Sequence, residues 1–181
     1  MSRNWIILLG TAALTLAADL ASKTLVVNNL PLNTSQAPPL SFLEPVFSLT
    51  YTTNTGAAFG LFADRGVLFI LIAFAVIAAI IFYYRYLPEG YGWVRLALGL
   101  QLGGALGNLI DRLRQGYVID FIDLNFWPLK DWPIFNIADS AIVVGVSLLA
   151  ILMLFEDVET ERQDQVEPSE SETASQTGAS L

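Results

Sequence analysis

The sequence predicts an all-α polytopic membrane protein: four transmembrane helices with a small β-containing loop region at one end of the bundle. Three observations lead there. Four stretches carry the roughly 20 mostly apolar residues that a bilayer crossing needs. The chain is 54% hydrophobic and only 14% charged, too apolar for an ordinary water-soluble domain. The segments between the stretches hold the prolines, tryptophans and alternating residues expected of interfacial loops.

The first stretch runs from Trp5 to Val27 and is interrupted by Asp19 and Lys23. Arg3 and the small pair Ala17-Ala18 would also suit a cleaved signal peptide. Asp19 and Lys23 fit better as members of a site, so the segment is read as a retained span. About 40 residues follow, broken by Pro31, Pro38 and Pro39, with Phe47 to Thr52 alternating like a strand. The second span, Gly66 to Tyr84, is the cleanest. A short turn, Arg85 to Gly92, joins it to the glycine-rich third span, Trp93 to Ile110. About 26 residues containing Trp127, Pro128, Trp132 and Pro133 lead to the fourth span, Ile137 to Phe155. All four spans should be helical, because backbone groups in lipid must bond within their own segment. Four spans put the two longer loops on one side of the membrane, and the termini with the short turn on the other.

Arg3, Arg85, Arg95 and Arg162 fall on the termini side, and Lys23, Arg65, Arg112, Arg114 and Lys130 on the other, so basic residues do not orient the chain. The net charge of −8 describes a tail: residues 156–181 hold eight acids and one arginine. That tail, rich in Glu, Ser, Thr and Gln, is expected to be disordered. Two regions are therefore predicted, a membrane domain over 1–155 and an acidic tail over 156–181. No basic patch points to nucleic acid. The chain has neither cysteine nor histidine, which removes disulfides, thiol nucleophiles, Ser-His-Asp chemistry and the usual zinc sites. Acid–base chemistry is left to Asp, Glu, Lys or Tyr.

Against that apolar background, the acids and amides near the span ends stand out. A carboxylate at membrane depth costs about 2.5–3.5 kcal/mol even on the lenient insertion scale. Asp19, Ser22 and Lys23 stand at i, i+3 and i+4. So do Asn108, Asp111 and Arg112, and so do Asn136, Asp139 and Ser140. That spacing places each group on one helix face. All three patches lie at span ends on the long-loop side, as a site between helices requires. Asp19 and Lys23 read as an ion pair that ties the first helix to its neighbours. Asp111 and Arg112 are adjacent, so their side chains diverge toward different partners. Asp139, one turn into an apolar helix, and Asp120, between Ile119 and Phe121, have no base nearby in sequence. Each should be protonated or share a proton.

Two carboxylates brought close do not both ionise readily. One keeps a proton while the other acts as base, which is the aspartic-protease arrangement. Without His or Cys it is the simplest hydrolytic mechanism open to this chain. Gly99, Gly103 and Gly107 recur at i+4 and read as a helix-packing surface. Asn54 to Gly60 is small, polar and turn-like. It is either a plain loop entering the second span or a binding loop, with Asn54 offering an amide to the site.

Five pieces of the sequence together resemble the lipoprotein signal peptidase (signal peptidase II) family. They are Asp19 with Ser22-Lys23, Asn54 to Gly60, Gly103 to Arg112, Val118 to Phe121, and Phe135 to Ser140. In order and spacing they cover about residues 5–155, with no departure at the motif positions. The resemblance implies an intramembrane aspartic endopeptidase of the bacterial inner membrane. It would cut the signal peptide from prolipoproteins, before a cysteine that already carries diacylglyceryl. By motif position, Asp120 and Asp139 would be the catalytic pair, and Asn54, Asn108, Arg112 and Asn136 would line the site and hold substrate. Asp19 and Asp111 would support it, with Lys23 as the partner of Asp19. Termini would be cytoplasmic, with the site and the β-containing cradle extracytoplasmic. Neither a metal nor another cofactor is implied. Membrane lipid and globomycin-type cyclic peptide inhibitors are the implied partners besides substrate.

Two rival readings stay open. A phosphotransferase would instead use Asp111, Asp120, Asp123 and Asp139 as Mg²⁺ ligands. Alternatively, the buried acids could relay ions or protons in a transporter, although four spans without an evident repeat suit that poorly.

Overall fold

The computed structural model describes residues 3–56, 65–87 and 90–155. Within them run helix α1 (Arg3–Asn29), strand β1 (Ser35–Gln36), a short 3-10 turn (Ser41–Leu43), strand β2 (Phe47–Asn54) and helices α2 (Gly66–Tyr84) and α3 (Gly92–Gln115). Strand β3 (Val118–Leu124) and helix α4 (Ile137–Phe155) complete them. The tail over 156–181 lies outside the described residues.

Among the described residues, three helices are long and apolar enough to cross a membrane: Trp5–Asn29, Gly66–Tyr84 and Ile137–Phe155. The last two coincide with the expected second and fourth spans. Helix α3 is as long, but Arg95, Gln101, Asn108 and Asp111 dilute its apolar run, and it continues beyond Ile110 to Gln115. It ends where Gly116 takes a left-handed conformation (φ 83°) and returns its N–H to the Arg112 carbonyl, an αL cap that glycine adopts without steric cost.

Helix α3 is the centre of the bundle. A Cβ at Gly103 would stand 2.6 Å from the Ala12 carbonyl oxygen, and one at Gly99 would stand 2.8 Å from that of Leu8. On its other side Gly104 abuts the Ala138 carbonyl of α4. The expected glycine packing surface is thus present, and it serves two neighbours rather than one. Close backbone approach is how helices associate where burial of apolar surface offers little gain.

The loops contain more β-structure than Phe47 to Thr52 suggested. The sheet has the order β1-β2-β3, antiparallel throughout. The strand β2 pairs with β3 from Phe47↔Leu124 to Asn54↔Val118, with an irregularity between Leu49 and Thr52. The strand expected at Phe47 to Thr52 is present within β2, and its longest pairing is with β3, from the loop after α3. Val118, Ile119, Phe121 and Ile122 are β-branched or aromatic and follow a glycine, which is a strand signal. A further bridge, Ile122↔Phe135, ties the loop before α4 to β3.

The interior is polar where a soluble protein's would be apolar. Among the largest fully buried side chains are Arg95, Lys23, Asn136, Asp19 and Asp120, whereas Phe74, Val67 and Leu71 of α2 are exposed. In lipid, exposed apolar side chains need no cover, and the polar groups turn inward.

Candidate active site

Four elements meet at the site. Asp120 sits mid-strand on β3, opposite Thr52 of β2. Asn54, at the end of β2, donates from its amide to Asp120 Oδ2 at 3.1 Å. Asn136 donates to Asp120 Oδ1 at 2.6 Å. The carboxyl of Asp120 is 2% exposed, so these two amides meet it in place of water.

Asp139 is placed by the start of α4. Asn136 is the residue before the helix, and its Oδ1 accepts the Asp139 N–H at 2.9 Å, while Asp139 Oδ2 accepts the Asn136 N–H at 3.3 Å. This reciprocal pair is a capping box. The third cluster is therefore corrected from a patch on a helix face to a helix cap. The other oxygen of Asp139, Oδ1, accepts from the Asn108 amide at 2.7 Å. Each of the four carboxylate oxygens thus receives one N–H.

Behind the pair stands Lys23, 2% exposed. Its ammonium lies 2.7 Å from Asp19 Oδ2 and 2.8 Å from Asp111 Oδ2, and donates to Asn108 Oδ1 at 3.0 Å. The ammonium is thus ion-paired to two carboxylates and hydrogen-bonded to one amide. Lys23 partners Asp111 as well as the Asp19 read from the spacing. Each acid then reaches a second element. Asp19 Oδ1 accepts the Ala138 N–H in the first turn of α4 at 3.0 Å, where a carboxylate complements the helix dipole. Asp111 Oδ2 accepts the Ile119 N–H, next to Asp120, at 3.3 Å. One ammonium is thereby linked to the placement of both β3 and α4. Gly107 leaves room for this arrangement, since a Cβ there would collide with the Asp19 carboxylate.

Arg112 diverges from Asp111 as expected. It donates to the Gly56 carbonyl at 3.1 Å and lies 5.1 Å from the centre of the Phe69 ring. The two serines of the helical clusters turn away from the chemistry: Ser22 donates to the Asp19 carbonyl and Ser140 to the Asn136 carbonyl. Of the loop Asn54 to Gly60, Asn54, Thr55 and Gly56 are described and the rest lies outside the described residues. Gly56 donates its N–H to Asn54 Oδ1, which orients the amide toward Asp120.

Asp120 and Asp139 border one cleft of about 320 Å³, together with Asn54, Asn108 and Arg112. Burial, and then the neighbouring Asp139 charge, pushes the Asp120 carboxyl up to about 7, against the lowering pull of the Asn54 and Asn136 amides and the Lys23 cation. Near neutrality the pair is therefore suited to hold one proton between two carboxylates. Phe69, Trp132 and Phe135 form apolar walls that residue spacing did not single out. Trp132 and Phe135 both lie just before the Asn136–Asp139 motif in sequence.

The four acids suggested for Mg²⁺ do not gather. Asp111 is held by Lys23, and Asp123 accepts from Thr50 Oγ1 at 2.8 Å. Among the described residues, no group of three acids is placed to hold a metal.

Residues 11–155 match the family described as signal peptidase (SPase) II. A lipoprotein signal peptidase of Moorella thermoacetica is 48% identical over 143 residues, covering 79% of this chain and 89% of its own length. One of Bacillus subtilis is 44% identical over 148 residues, covering 80% and 91%. A solved bacterial membrane enzyme, 30% identical, superposes with a TM-score of 0.71 over 81% of this chain and 87% of its own. With that match over most of its length and relatives of that identity, the chain belongs to the signal peptidase II family, the lipoprotein signal peptidases, which are aspartic proteases of the membrane.

Proposed function

We propose that this protein removes the signal peptide from diacylglyceryl-modified prolipoproteins by cutting before the lipidated cysteine, with Asp120 and Asp139 as the catalytic pair. The observation that carries the reading is the pair itself. Two carboxyl groups from different elements border one cleft, and each oxygen is oriented by a single N–H donor. The ionised member takes a proton from the attacking water, and the protonated member donates to the scissile carbonyl oxygen as it becomes tetrahedral. On collapse the protonated member gives its proton to the leaving amine while the ionised member takes one from a hydroxyl of the tetrahedral intermediate, so the pair ends with one proton again. Asn54, Asn108 and Asn136 hold the carboxylates in register, and the Arg112 guanidinium at the cleft edge is placed to hold a substrate carbonyl. Asp19, Lys23 and Asp111 support them. The mechanism draws on no metal or cofactor.

In this reading α3 also crosses the membrane, as the third of four spans. Its polar residues Arg95, Asn108 and Asp111 are buried within the protein, so lipid meets little of its polarity. The protein is a multi-pass component of the bacterial inner membrane with cytoplasmic termini, an acidic tail over 156–181, and a site near the outer face. A lipid-anchored substrate reaches such a site laterally, and globomycin-type cyclic peptides compete for it.

The test is cleavage of a diacylglyceryl-modified prolipoprotein by purified protein in detergent with EDTA present. Cleavage that persists with EDTA and stops with globomycin is expected. No cleavage by folded protein would overturn the proposal, and a requirement for added Mg²⁺ would move the assignment to a metal enzyme.

A further inference from the structure

The two carboxyl groups of the pair sit in unlike surroundings. Asp120, on the strand, is buried, and its oxygens accept from the neutral amides of Asn54 and Asn136. A sheet has only a small net dipole, so the strand adds little field of its own. Burial among neutral groups favours a carboxyl that keeps its proton. Asp139 is half-buried and lies in the first turn of α4, where the helix dipole favours a carboxylate. Its Oδ2 accepts the Asn136 N–H, and its Oδ1 accepts from the Asn108 amide. That amide is backed by a cation, since Lys23 donates to Asn108 Oδ1 at 3.0 Å. An ammonium has only protons to offer, so the Asn108 oxygen must face it and the Asn108 N–H must face Asp139. On the cleft side, the Arg112 guanidinium feels the Asp139 charge more strongly than that of Asp120 or Asp111. The other acids nearby, Asp19 of α1 and Asp111 of α3, are both ion-paired to Lys23. Among the described residues, α2 brings Phe69 alone to the cleft wall.

We propose that Asp139 is the base of the pair and Asp120 the acid, with Lys23 as a positioning residue that acts on Asp139 through Asn108. The inference rests on the peptidase function proposed above and assigns the two roles that it leaves open. The Asp139 carboxylate takes a proton from water as the water oxygen bonds to the scissile carbonyl carbon, and Asp120 gives its proton to the carbonyl oxygen. The pair then stands reversed, with Asp139 protonated and Asp120 ionised. On collapse the carbon–nitrogen bond breaks and Asp139 gives its proton to the leaving amine. Asp120 takes a proton from a hydroxyl of the intermediate as the carbonyl reforms. The products are a carboxylic acid and an amine, and each carboxyl group is back in its starting state. The buried ammonium thus works at one remove. It turns a neutral amide into a fixed donor for the group that must begin each cycle ionised.

The experiment is the pH profile of kcat/KM on a diacylglyceryl-modified prolipoprotein, measured for the full chain and its Asn108→Ala and Asn54→Ala variants. The acidic limb follows ionisation of the base, and the alkaline limb follows loss of the acid's proton. Removing an N–H donor disfavours the carboxylate it served, so that group holds its proton to higher pH. Asn108→Ala should raise the acidic limb by about one pH unit and leave the alkaline limb in place. Asn54→Ala should do the reverse, raising the alkaline limb by about one unit and leaving the acidic limb in place. If the alanine variant at 108 does not fold, Asn108→Asp keeps an oxygen toward Lys23, offers Asp139 no N–H, and should raise the acidic limb as well. Lys23→Gln is made together with Asp111→Asn, so that no further acid is left unpaired, and should also raise the acidic limb. An exchange of the two limbs between the Asn108 and Asn54 variants would overturn the proposal by exchanging the roles. Limbs that move together, or not at all, would overturn it by showing that neither carboxyl group owns the proton. An unmoved acidic limb in the Lys23 variant would remove Lys23 from the assignment. If the unaltered chain does not cleave the substrate, the peptidase function itself fails, and the inference with it.

Discussion

Helices α2 and α3 lie side by side and obey opposite rules. The α2 span is the most apolar, with a mean hydropathy of 2.9, yet only 6% of it is buried. Only Ile80 and Tyr84 are buried along it. The α3 helix falls short of the apolarity of a membrane span, yet it buries Arg95, Asn108 and Asp111, meets α1 and α4 through small residues and polar groups, and meets α2 through Leu98, Leu102 and Leu106. High hydropathy here marks a helix that meets lipid. The helix that organises the site can be more polar because protein surrounds it. A search for function along the most apolar segments would look at the wrong one.

The comparison is tested first at the groups α3 holds in place. Asp120→Asn and Asp139→Asn should each lower cleavage by at least about a thousandfold, as losses of concerted catalytic groups do, while the purified variants keep their helical circular dichroism. Substantial turnover by either variant would break the assignment. Next is the cation α3 shares with α1. Lys23→Met leaves Asp19 and Asp111 buried without their ammonium and should cost about 3–5 kcal/mol of stability, read as a large drop in folded yield and thermal midpoint in detergent.

Packing comes third. Gly103→Leu pushes a side chain into the Ala12 backbone and should cost at least about 1–3 kcal/mol. Ala75→Leu on the exposed face of α2 should stay within about 0.5 kcal/mol. Similar midpoints for these two would erase the contrast between the helices.

A fourth measurement uses the Asp120 carboxyl, raised to about 7. Its folded value lies above the unfolded one, so the folded state holds more protons between them. The stabilising contribution is full below about pH 4 and is lost as pH rises through about 7. Cleavage should decline above about pH 7 with the loss of the shared proton, by up to about tenfold per pH unit. The thermal midpoint of Asp120→Asn should gain on that of the unaltered protein as pH rises from 4 to 8. A flat difference across that range would contradict the proton assignment. The smallest effect is expected from ending the chain after residue 156, which should leave turnover within about twofold because an acidic, apolar-poor segment cannot build a packed contact with the site. A large loss would show that the tail takes part.

Much of this was legible before any coordinates. Asp19, Asn108, Asp111, Asp120, Asn136 and Asp139 stood out because lipid penalises polar groups strongly, so an acid or amide in an apolar run is conspicuous in one dimension. Spans α2 and α4 were legible to their ends for the same reason. The spacing of Asp19 and Lys23 announced an ion pair, since i and i+4 share a helix face. Other features were hidden. Asn136 and Asp139 have the same spacing whether they share a helix face or cap one, and only the position of the first helical turn separates the two. The pairing of β3 with β2 is hidden in the sequence although β3 has strand-forming residues, because two helices separate the strands and pairing leaves no local signature across such a distance.

The sequence by itself determined that the chain lives in a membrane, that its chemistry falls to carboxylates and amides, and that those groups gather at one end of the spans. Each follows from composition and period, which act residue by residue. The tertiary structure alone decided which acids meet. It set Asp120 from a strand against Asp139 from a helix cap, and sent Asp111 to Lys23 instead. Those outcomes depend on distances between segments far apart in the chain, and they were settled by close packing at Gly103, Gly104 and Gly107 and by a single buried ammonium shared between two carboxylates and an amide.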